Sequence, residues 1–304
     1  MKVLFLGSSD FSQIVLERLL QSKHKVLAVV CQPDRPSGRG HKLVSPEIKA
    51  FAETKGIKVF QFEKVSQHID EVFEGVDIAV TASFGQILSR DFIARKMCLN
   101  VHPSFLPIYR GPTPLQTALL NGDKETAVTI QKMVYEVDQG DILLQEKIKI
   151  DDEDSFSTLT EKTARLGGEL LVKALDLIES KKEKYIKQDS QEATYTKMIQ
   201  KEDGFLDFNF TATKLHNKVR ALGENPGCYF FIGEDRIKVL KTAICTEFNI
   251  KSGEILVQNK RFLIGTSDGS LEILKCQAPN GKMLNAKDFL NGYKFKEMKV
   301  NDAT

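Results

Sequence analysis

Short apolar runs separated by segments of helical length dominate the first half of this chain. Between the first two runs, Leu16, Leu19 and Leu20 recur at helical spacing. Strands that are apolar throughout are typical of a sheet buried on both faces, and alternation with helices is typical of a parallel sheet. The sequence therefore predicts an α/β fold with a doubly wound, mostly parallel sheet. The predicted strands cover residues 3–6, 26–31, 57–60, 77–82, 98–102, 127–134 and 142–150.

The second half of the chain has a different pattern. A long helix is predicted over residues 155–180, and the polar stretch that follows it indicates the start of a linker. After a further helix over 211–222, short strand-like runs succeed one another at close spacing, which is typical of a small β-barrel. These runs cover residues 228–232, 236–243, 254–258, 262–265 and 271–275, and a short helix is predicted over 287–290.

Length and composition exclude several classes of protein. A chain of 304 residues has room for about two domains, and 41% hydrophobic with 28% charged residues is typical of a globular protein. No apolar run approaches the ~20 residues of a membrane span, and the first is too short for a signal peptide. The five cysteines are scattered and form no C-x-x-C pair, which disfavours a zinc site or a disulfide framework. We therefore expect a cytoplasmic protein with no membrane partner and no metal.

Charge is unevenly distributed. From Phe205 onward the chain has 15 Lys and Arg residues against 11 Asp and Glu, although the whole chain has a net charge of only +2. A basic excess of this kind is compatible with a polyanionic partner, but many solvated surfaces share it.

The predicted strand over 98–102 ends in a cluster of chemically useful side chains. Asn100 and His102 are two apart, so they share a face, and Pro103 ends the strand because it has no N–H for the ladder. The carboxyl ends of strands in open α/β sheets are where catalytic groups lie. Asp138 follows in an Asp-Gln-Gly-Asp turn, and its spacing alone does not distinguish it from Asp141. A lone buried histidine held by backbone groups is the ordinary alternative.

Three motifs resemble the folate-dependent formyltransferases: N-x-H-P-S-x-L-P over 100–107, R-G-x-x-P-x-Q over 110–116 and D-x-G over 138–140. The resemblance implies transfer of a formyl group from 10-formyltetrahydrofolate to an amine. It implies that Asn100 and His102 stabilise the oxyanion that forms during transfer, and that Asp138 orients His102 and assists proton removal. No metal is required.

The resemblance also implies where the folate binds. The segment after the fourth predicted strand offers backbone groups and apolar walls to a pterin ring, and the S-x-L-P motif lines the cleft. The loop over residues 7–11 lacks the G-x-G-x-x-G spacing, which disfavours a nicotinamide oxidoreductase. The folate-binding candidates are Phe84, Gly85, Gln86, Ile87, Leu88, Ser104, Leu106 and Pro107.

A basic loop over residues 32–43 matches the branch of the family that acts on initiator methionyl-tRNA. Its Q-P-D-R-P-x-G-R-G run contains Arg35 and Arg39, and Lys42 follows. Arginine suits phosphates and base edges, so we expect these three residues to bind tRNA, with Arg39 gripping its end. By the same resemblance we expect a catalytic domain at 1–189, a linker at 190–207 and an OB-like tRNA-binding domain at 208–304, in a monomer.

Two alternatives stay open at this level. A formyltransferase for a small amine, such as a purine precursor or an amino sugar nucleotide, would share Asn100, His102 and Asp138. A nucleic-acid-binding module would keep the fold without turnover. The chain departs from the family in lacking the N-P-W-P segment, since Asn225-Pro226-Gly227 stands there, and in His41, where lysine is usual.

Overall fold

The computed structural model describes residues 1–37 and 42–301 and divides into two compact units. The first unit consists of Met1–Pro114, Glu125–Lys149 and Leu159–Thr196. The second consists of Leu115–Lys124, Ile150–Thr158 and Lys197–Thr304. Arg39 lies outside the described residues, so its predicted role has no structural counterpart.

The first unit is built on a central sheet. Its strands are β1 (Lys2–Gly7), β2 (Lys25–Cys31), β3 (Arg35–Ser37), β4 (Lys42–Val44), β5 (Lys58–Gln61), β6 (Ile78–Ala82), β7 (Cys98–His102), β8 (Glu125–Lys132) and β9 (Ile142–Lys149). Within the described residues, seven of them form one sheet in the order β5-β2-β1-β6-β7-β8-β9, and β3 pairs with β4. Neighbours from β5 to β7 are parallel, whereas β8 and β9 pair antiparallel. The predicted mostly parallel α/β sheet is confirmed.

Helices cover both faces of this sheet. The helices of this unit are α1 (Asp10–Leu20), α2 (Glu47–Thr54), α3 (Ile69–Val72), α4 (Arg90–Arg95) and most of α6 (Phe156–Glu179), whereas nearly all of α5 (Pro114–Asn121), and α7 (Ala212–Leu222) and α8 (Ala286–Gly292), belong to the second unit. On one face Phe5 belongs to a core with Leu16 and Leu171, and on the other Leu4 belongs to a core with Phe92. Because successive residues of β1 point into different cores, the strand is apolar throughout.

The first helix begins beside the ends of β1 and β6. Ser9 is its N-cap, and the hydroxyl of Ser12 accepts a hydrogen bond from the Ser9 backbone at 3.1 Å. The same hydroxyl donates to the carbonyl oxygen of Ala82 at 2.6 Å, which ties the helix start to the end of β6. The serine pair therefore fixes the loop at the carboxyl edge of the sheet.

The second unit contains an antiparallel sheet, as the closely spaced runs predict. Its strands are β10 (Cys228–Ile232), β11 (Asp235–Cys245), β12 (Ile255–Gln258), β13 (Arg261–Gly265), β14 (Ser270–Gln277) and β15 (Leu284–Asn285). They follow the order β10-β11-β14-β13-β12, with β15 pairing to β14. Thr211 caps α7 by accepting from the Lys214 backbone at 3.2 Å. No helix within residues 1–37 and 42–301 is both long and apolar enough to span a bilayer.

Candidate active site

Strand β7 brings Asn100 and His102 to the carboxylate of Asp138. The hydroxyl of Thr81 on β6 donates to Asn100 Oδ1 at 2.8 Å, which fixes the orientation of the amide. Asn100 Nδ2 then donates to Asp138 Oδ1 at 3.3 Å. His102 Nδ1 lies 3.6 Å from the same oxygen. The three side chains that the sequence singles out therefore meet at one point.

Asp138 lies between β8 and β9 with its carboxylate largely buried. Its backbone is left-handed, with φ 55°, an unfavourable conformation that the surrounding contacts must hold. Oδ2 accepts from the Gly111 backbone at 2.8 Å, and Oδ1 accepts from Gln131 Nε2 at 2.9 Å. Gln188 Nε2 donates to the carbonyl oxygens of Asp138 and Gly140 at 2.9 and 2.6 Å. The carboxylate is thus held from several sides.

The imidazole of His102 is buried and has a defined partner. Its Nε2 lies 3.0 Å from the carbonyl oxygen of Tyr109, whose backbone is also left-handed, with φ 61°. A carbonyl oxygen only accepts, so Nε2 carries a proton and donates it. The hydrogen bond that orients the ring therefore goes to Tyr109, and Nδ1 faces Asp138.

The structure shows which of the two aspartates in the turn, Asp138 or Asp141, lies at the site. The Asp141 side chain is exposed, and its carbonyl oxygen accepts from the Lys132 backbone at 2.9 Å. Asp138 is therefore the residue whose carboxylate meets Asn100 and His102. Cys98, at the start of β7, is buried, and burial raises the pKa of its thiol to about 12, which leaves it un-ionised and unreactive near neutral pH.

The proposed pterin segment presents mainly backbone. Phe84 and Leu88 are buried in the core, so a ligand at this loop would meet them through their backbone groups. Gln86 uses both ends of its amide, donating to the Phe62 carbonyl at 2.7 Å and accepting from the Val65 backbone at 3.0 Å. Gly85, at φ 81°, and Ile87 are the exposed members of the segment, and the Ile87 side chain is 83% exposed.

The S-x-L-P motif is an internal support. The buried Ser104 hydroxyl donates to the Ile108 carbonyl at 2.6 Å, and the Ser104 carbonyl accepts from the Thr129 hydroxyl at 2.7 Å. Leu106 and Pro107 are buried as well. These contacts hold the turn that leads to Tyr109.

A groove that the sequence did not reveal lies between α4 and the segment Lys132–Glu136. Its volume is about 610 Å³, and its lining includes Ile93, Met133 and Tyr135. The Arg90 guanidinium lies 4.1 Å from the centroid of the Tyr135 ring, a cation–π contact. In sequence the groove lining begins at Arg90, three residues after the exposed Ile87, and ends at Glu136, two residues before Asp138. Exposed apolar residues beyond the end of β8 are the signal that could have indicated it.

The remaining predicted site residues are placed as follows. Arg35 on β3 forms an ion pair with Glu63, with 2.6 Å between Arg35 Nη2 and the carboxylate. Lys42 begins β4, across from Ser37 in the hairpin. Over residues 1–37 and 42–301, no group of three or more His, Cys, Asp or Glu side chains is arranged to hold a metal ion.

This fold and this arrangement of amide, imidazole and carboxylate define a formyltransferase. The chain belongs to the formyl transferase family: the formyl transferase model matches residues 1–175, and the formyl transferase C-terminal domain matches residues 198–294. The resemblance inferred from the motifs is confirmed.

Two relatives that match this chain over nearly its full length are named methionyl-tRNA formyltransferase. The chain is 36% identical over 306 residues to the methionyl-tRNA formyltransferase of Sulfurihydrogenibium sp.. The alignment covers 97% of this chain and 98% of that protein. It is 38% identical over 297 residues to the methionyl-tRNA formyltransferase of Hydrogenobaculum sp., covering 96% of this chain and 97% of that protein.

Solved structures share the fold at lower identity. An N-formyltransferase from Helicobacter canadensis, in complex with folinic acid and dTDP-3-aminofucose, has a TM-score of 0.67 and 21% identity, covering 90% of this chain and 98% of that one. HypX from Aquifex aeolicus in complex with tetrahydrofolic acid has a TM-score of 0.66 and 18% identity, covering 98% of this chain and 50% of that one.

Proposed function

We propose that this protein transfers the formyl group of 10-formyltetrahydrofolate to the α-amino group of methionine on initiator tRNA. The observation that carries the proposal is the meeting of Asn100, His102 and Asp138 at one carboxylate oxygen. Relatives named methionyl-tRNA formyltransferase over nearly the full length support the choice of acceptor.

The residues around the site suit the formyl donor. Ile87 and Gly85 are exposed, and the groove beside Ile93 and Met133 offers apolar walls to a flat ring. Arg90 supplies a cation at the same groove for an acidic group on the donor. When bound, the donor supplies an electrophilic formyl carbon with a carbonyl oxygen that becomes negative as the amine attacks.

Asn100 and His102 stabilise that negative oxygen in the proposed mechanism. Thr81 holds the Asn100 carbonyl and Asp138 accepts from the amide nitrogen, so the second N–H of the amide is left to donate. Because Tyr109 requires a proton on His102 Nε2, a donor at Nδ1 exists only in the imidazolium form. Asp138 Oδ1 faces Nδ1 at 3.6 Å. Two preorganised donors of this kind serve the oxyanion without a metal ion.

Asp138 removes the proton from the attacking amine in the same proposal. Its Oδ2 accepts from the Gly111 backbone, and its Oδ1 accepts from Asn100 and Gln131 and lies 3.6 Å from His102 Nδ1. An ionised carboxylate only accepts, so it can take the proton that the amine nitrogen loses, directly or through His102. The tetrahedral adduct then collapses: the bond between the formyl carbon and N10 of the folate breaks, N10 takes up a proton, and tetrahydrofolate leaves.

Transfer RNA is proposed to bind along the basic loop and the C-terminal unit. Arg35, Arg39 and Lys42 would hold the acceptor end, and residues 208–304 would form the tRNA-binding domain after a linker at 190–207. The protein would act as a cytoplasmic monomer. The sequence of the loop and the relatives support these assignments.

A substrate comparison tests the proposal. Wild type and Arg39→Ala are assayed with methionyl-initiator tRNA and with small amines, including an amino sugar nucleotide, at several salt concentrations. We expect wild type to formylate the tRNA, with a KM that rises with salt, and Arg39→Ala to have a KM for tRNA at least about tenfold higher. Formylation of a small amine and not of tRNA would leave the catalytic residues in place and refute the acceptor.

A further inference from the structure

Gln131 makes a contact with the catalytic carboxylate that no motif indicated. It lies on β8 directly across from Asn100 on β7, and it is 2% exposed. Its Nε2 donates to Asp138 Oδ1 at 2.9 Å, a shorter contact than the 3.3 Å from Asn100 Nδ2 to the same oxygen. Gln131 is therefore the closer of the two side-chain amides that donate to the Asp138 carboxylate.

The oxygen of the Gln131 amide, Oε1, does not take part in this contact with Asp138. Oε1 is buried and has no hydrogen-bond partner among the described residues. Rotating the amide would turn Oε1 toward Asp138, which repels it because an ionised carboxylate cannot donate. A buried acceptor without a partner lowers stability, and an apolar side chain of similar length would avoid that loss. What the glutamine contributes at this position is therefore its donor to Asp138, gained at the cost of an unpaired acceptor.

We infer that Gln131 is a positioning residue, which holds the Asp138 carboxylate in the orientation from which it can accept a proton. The inference rests on the proposed function of Asp138. Gln131 acts through Asp138, since the buried amide does not reach the cleft. Among the described residues, His102 on β7 is the titratable group that faces this carboxylate. Arg110 does so only indirectly: it donates to Gln188, which in turn donates to the backbone carbonyl of Asp138.

The test compares Gln131→Met with wild type. We expect kcat to fall about tenfold while the KM values for tRNA and donor stay within about twofold, because the contact is to a catalytic group and not to substrate. The pH profile of kcat should differ from that of wild type, since the carboxylate loses one of its donors. The melting temperature should fall by no more than about 4 °C, because the lost bond to the carboxylate is partly offset by removal of the unpaired buried acceptor.

Gln131→Glu gives a second, isosteric variant. Two carboxylates at this distance share a proton, so its kcat relative to wild type should fall as pH rises. Gln61→Met is the matched control, because Gln61 is also a strand glutamine that donates to an aspartate, at 2.6 Å to Asp34 Oδ1. Its kcat and pH profile should equal those of wild type.

A readout independent of turnover separates this inference from the proposed function. Carbon-13 NMR of the Asp138 carboxyl, assigned with Asp138→Asn, should give a different chemical shift in Gln131→Met than in wild type at the same pH, because the hydrogen bond from Gln131 Nε2 is lost. An equal chemical shift in both proteins would overturn the inference, as would an unchanged pH profile of kcat. A displaced signal in a protein that does not formylate tRNA would support the inference and refute the proposed function.

Discussion

His102 Nε2 lies 3.0 Å from the carbonyl oxygen of Tyr109. This contact fixes the position of one proton on the ring and leaves Nδ1 as the nitrogen that faces Asp138. It also shows that the backbone at Tyr109, held in a left-handed conformation by the turn that Ser104 supports, sets the orientation of the imidazole.

Replacing His102 tests its role directly. We expect His102→Ala to lower kcat at least about 100-fold, because an oxyanion donor is lost. Far-ultraviolet circular dichroism and the melting temperature check that the variant is folded. Turnover within a few-fold of wild type would show that His102 is not part of the catalytic machinery.

Gly140 is expected to tolerate no side chain. A Cβ built there would lie 1.7 Å from the carbonyl oxygen of Lys132, so Gly140→Ala must displace the loop that carries Asp138. We expect a loss of stability of about 2 kcal/mol or more and a loss of most activity. Gly292→Ala is the matched control, since a Cβ at Gly292 meets nothing within 4 Å. Denaturant unfolding and initial rates measure both effects; equal behaviour of the two variants would contradict the account.

Arg110 is a buried cation, and all three of its guanidinium nitrogens donate hydrogen bonds. Its Nε and Nη2 donate to Gln188 Oε1 at 3.0 and 2.8 Å, and its Nη1 donates to the Tyr195 hydroxyl at 3.1 Å. Lysine cannot reproduce this fork, so Arg110→Lys should lower the free energy of unfolding by about 2–3 kcal/mol. A change below about 0.5 kcal/mol on denaturant unfolding would mean that these contacts do not support the fold.

Stability should depend on pH through His216. Burial, followed by the nearby Arg220, lowers the pKa of this imidazole, and Nδ1 lies 2.9 Å from the Thr242 hydroxyl. The unfolded state therefore binds the proton more readily, so stability is full above pH ~6.5 and falls as pH drops through that value toward the lower folded pKa. The slope from this group is at most about 1.4 kcal/mol per pH unit.

Comparison with His216→Asn isolates that effect. The difference in unfolding free energy between wild type and variant should shrink as pH falls from 7.5 to 5.5, because only wild type gains a proton on unfolding there. A difference that is constant over this range would contradict the lowered pKa of His216.

Much of the fold and part of the site could be predicted from sequence. The strand over 98–102 has the predicted bounds because apolar residues begin it and Pro103 ends it, and period two places Asn100 and His102 together. Gln131 lies inside a predicted strand, but its contact with Asp138 depends on the register of β8 against β7, which local sequence does not specify.

Other features depend on the backbone of the folded chain. That Tyr109 offers its carbonyl to His102 follows from a left-handed φ, for which tyrosine gives no signal. The sequence predicts that Phe84 and Leu88 offer apolar walls to the pterin ring, but both side chains are buried in the core. Periodicity shows that such residues are apolar and does not show which of them a ligand can reach.

The central claim is that this chain moves a formyl group onto the amine of methionine carried by tRNA. The most direct measurement follows carbon-14 from 10-formyltetrahydrofolate, labelled in the formyl group, into acid-precipitable methionyl-initiator tRNA, with release of the amino acid by mild base. The account predicts label in the precipitate, recovered as N-formylmethionine, in wild type and at least about 100-fold slower labelling in His102→Ala. Label that stays with folate or passes only to a small amine would contradict it.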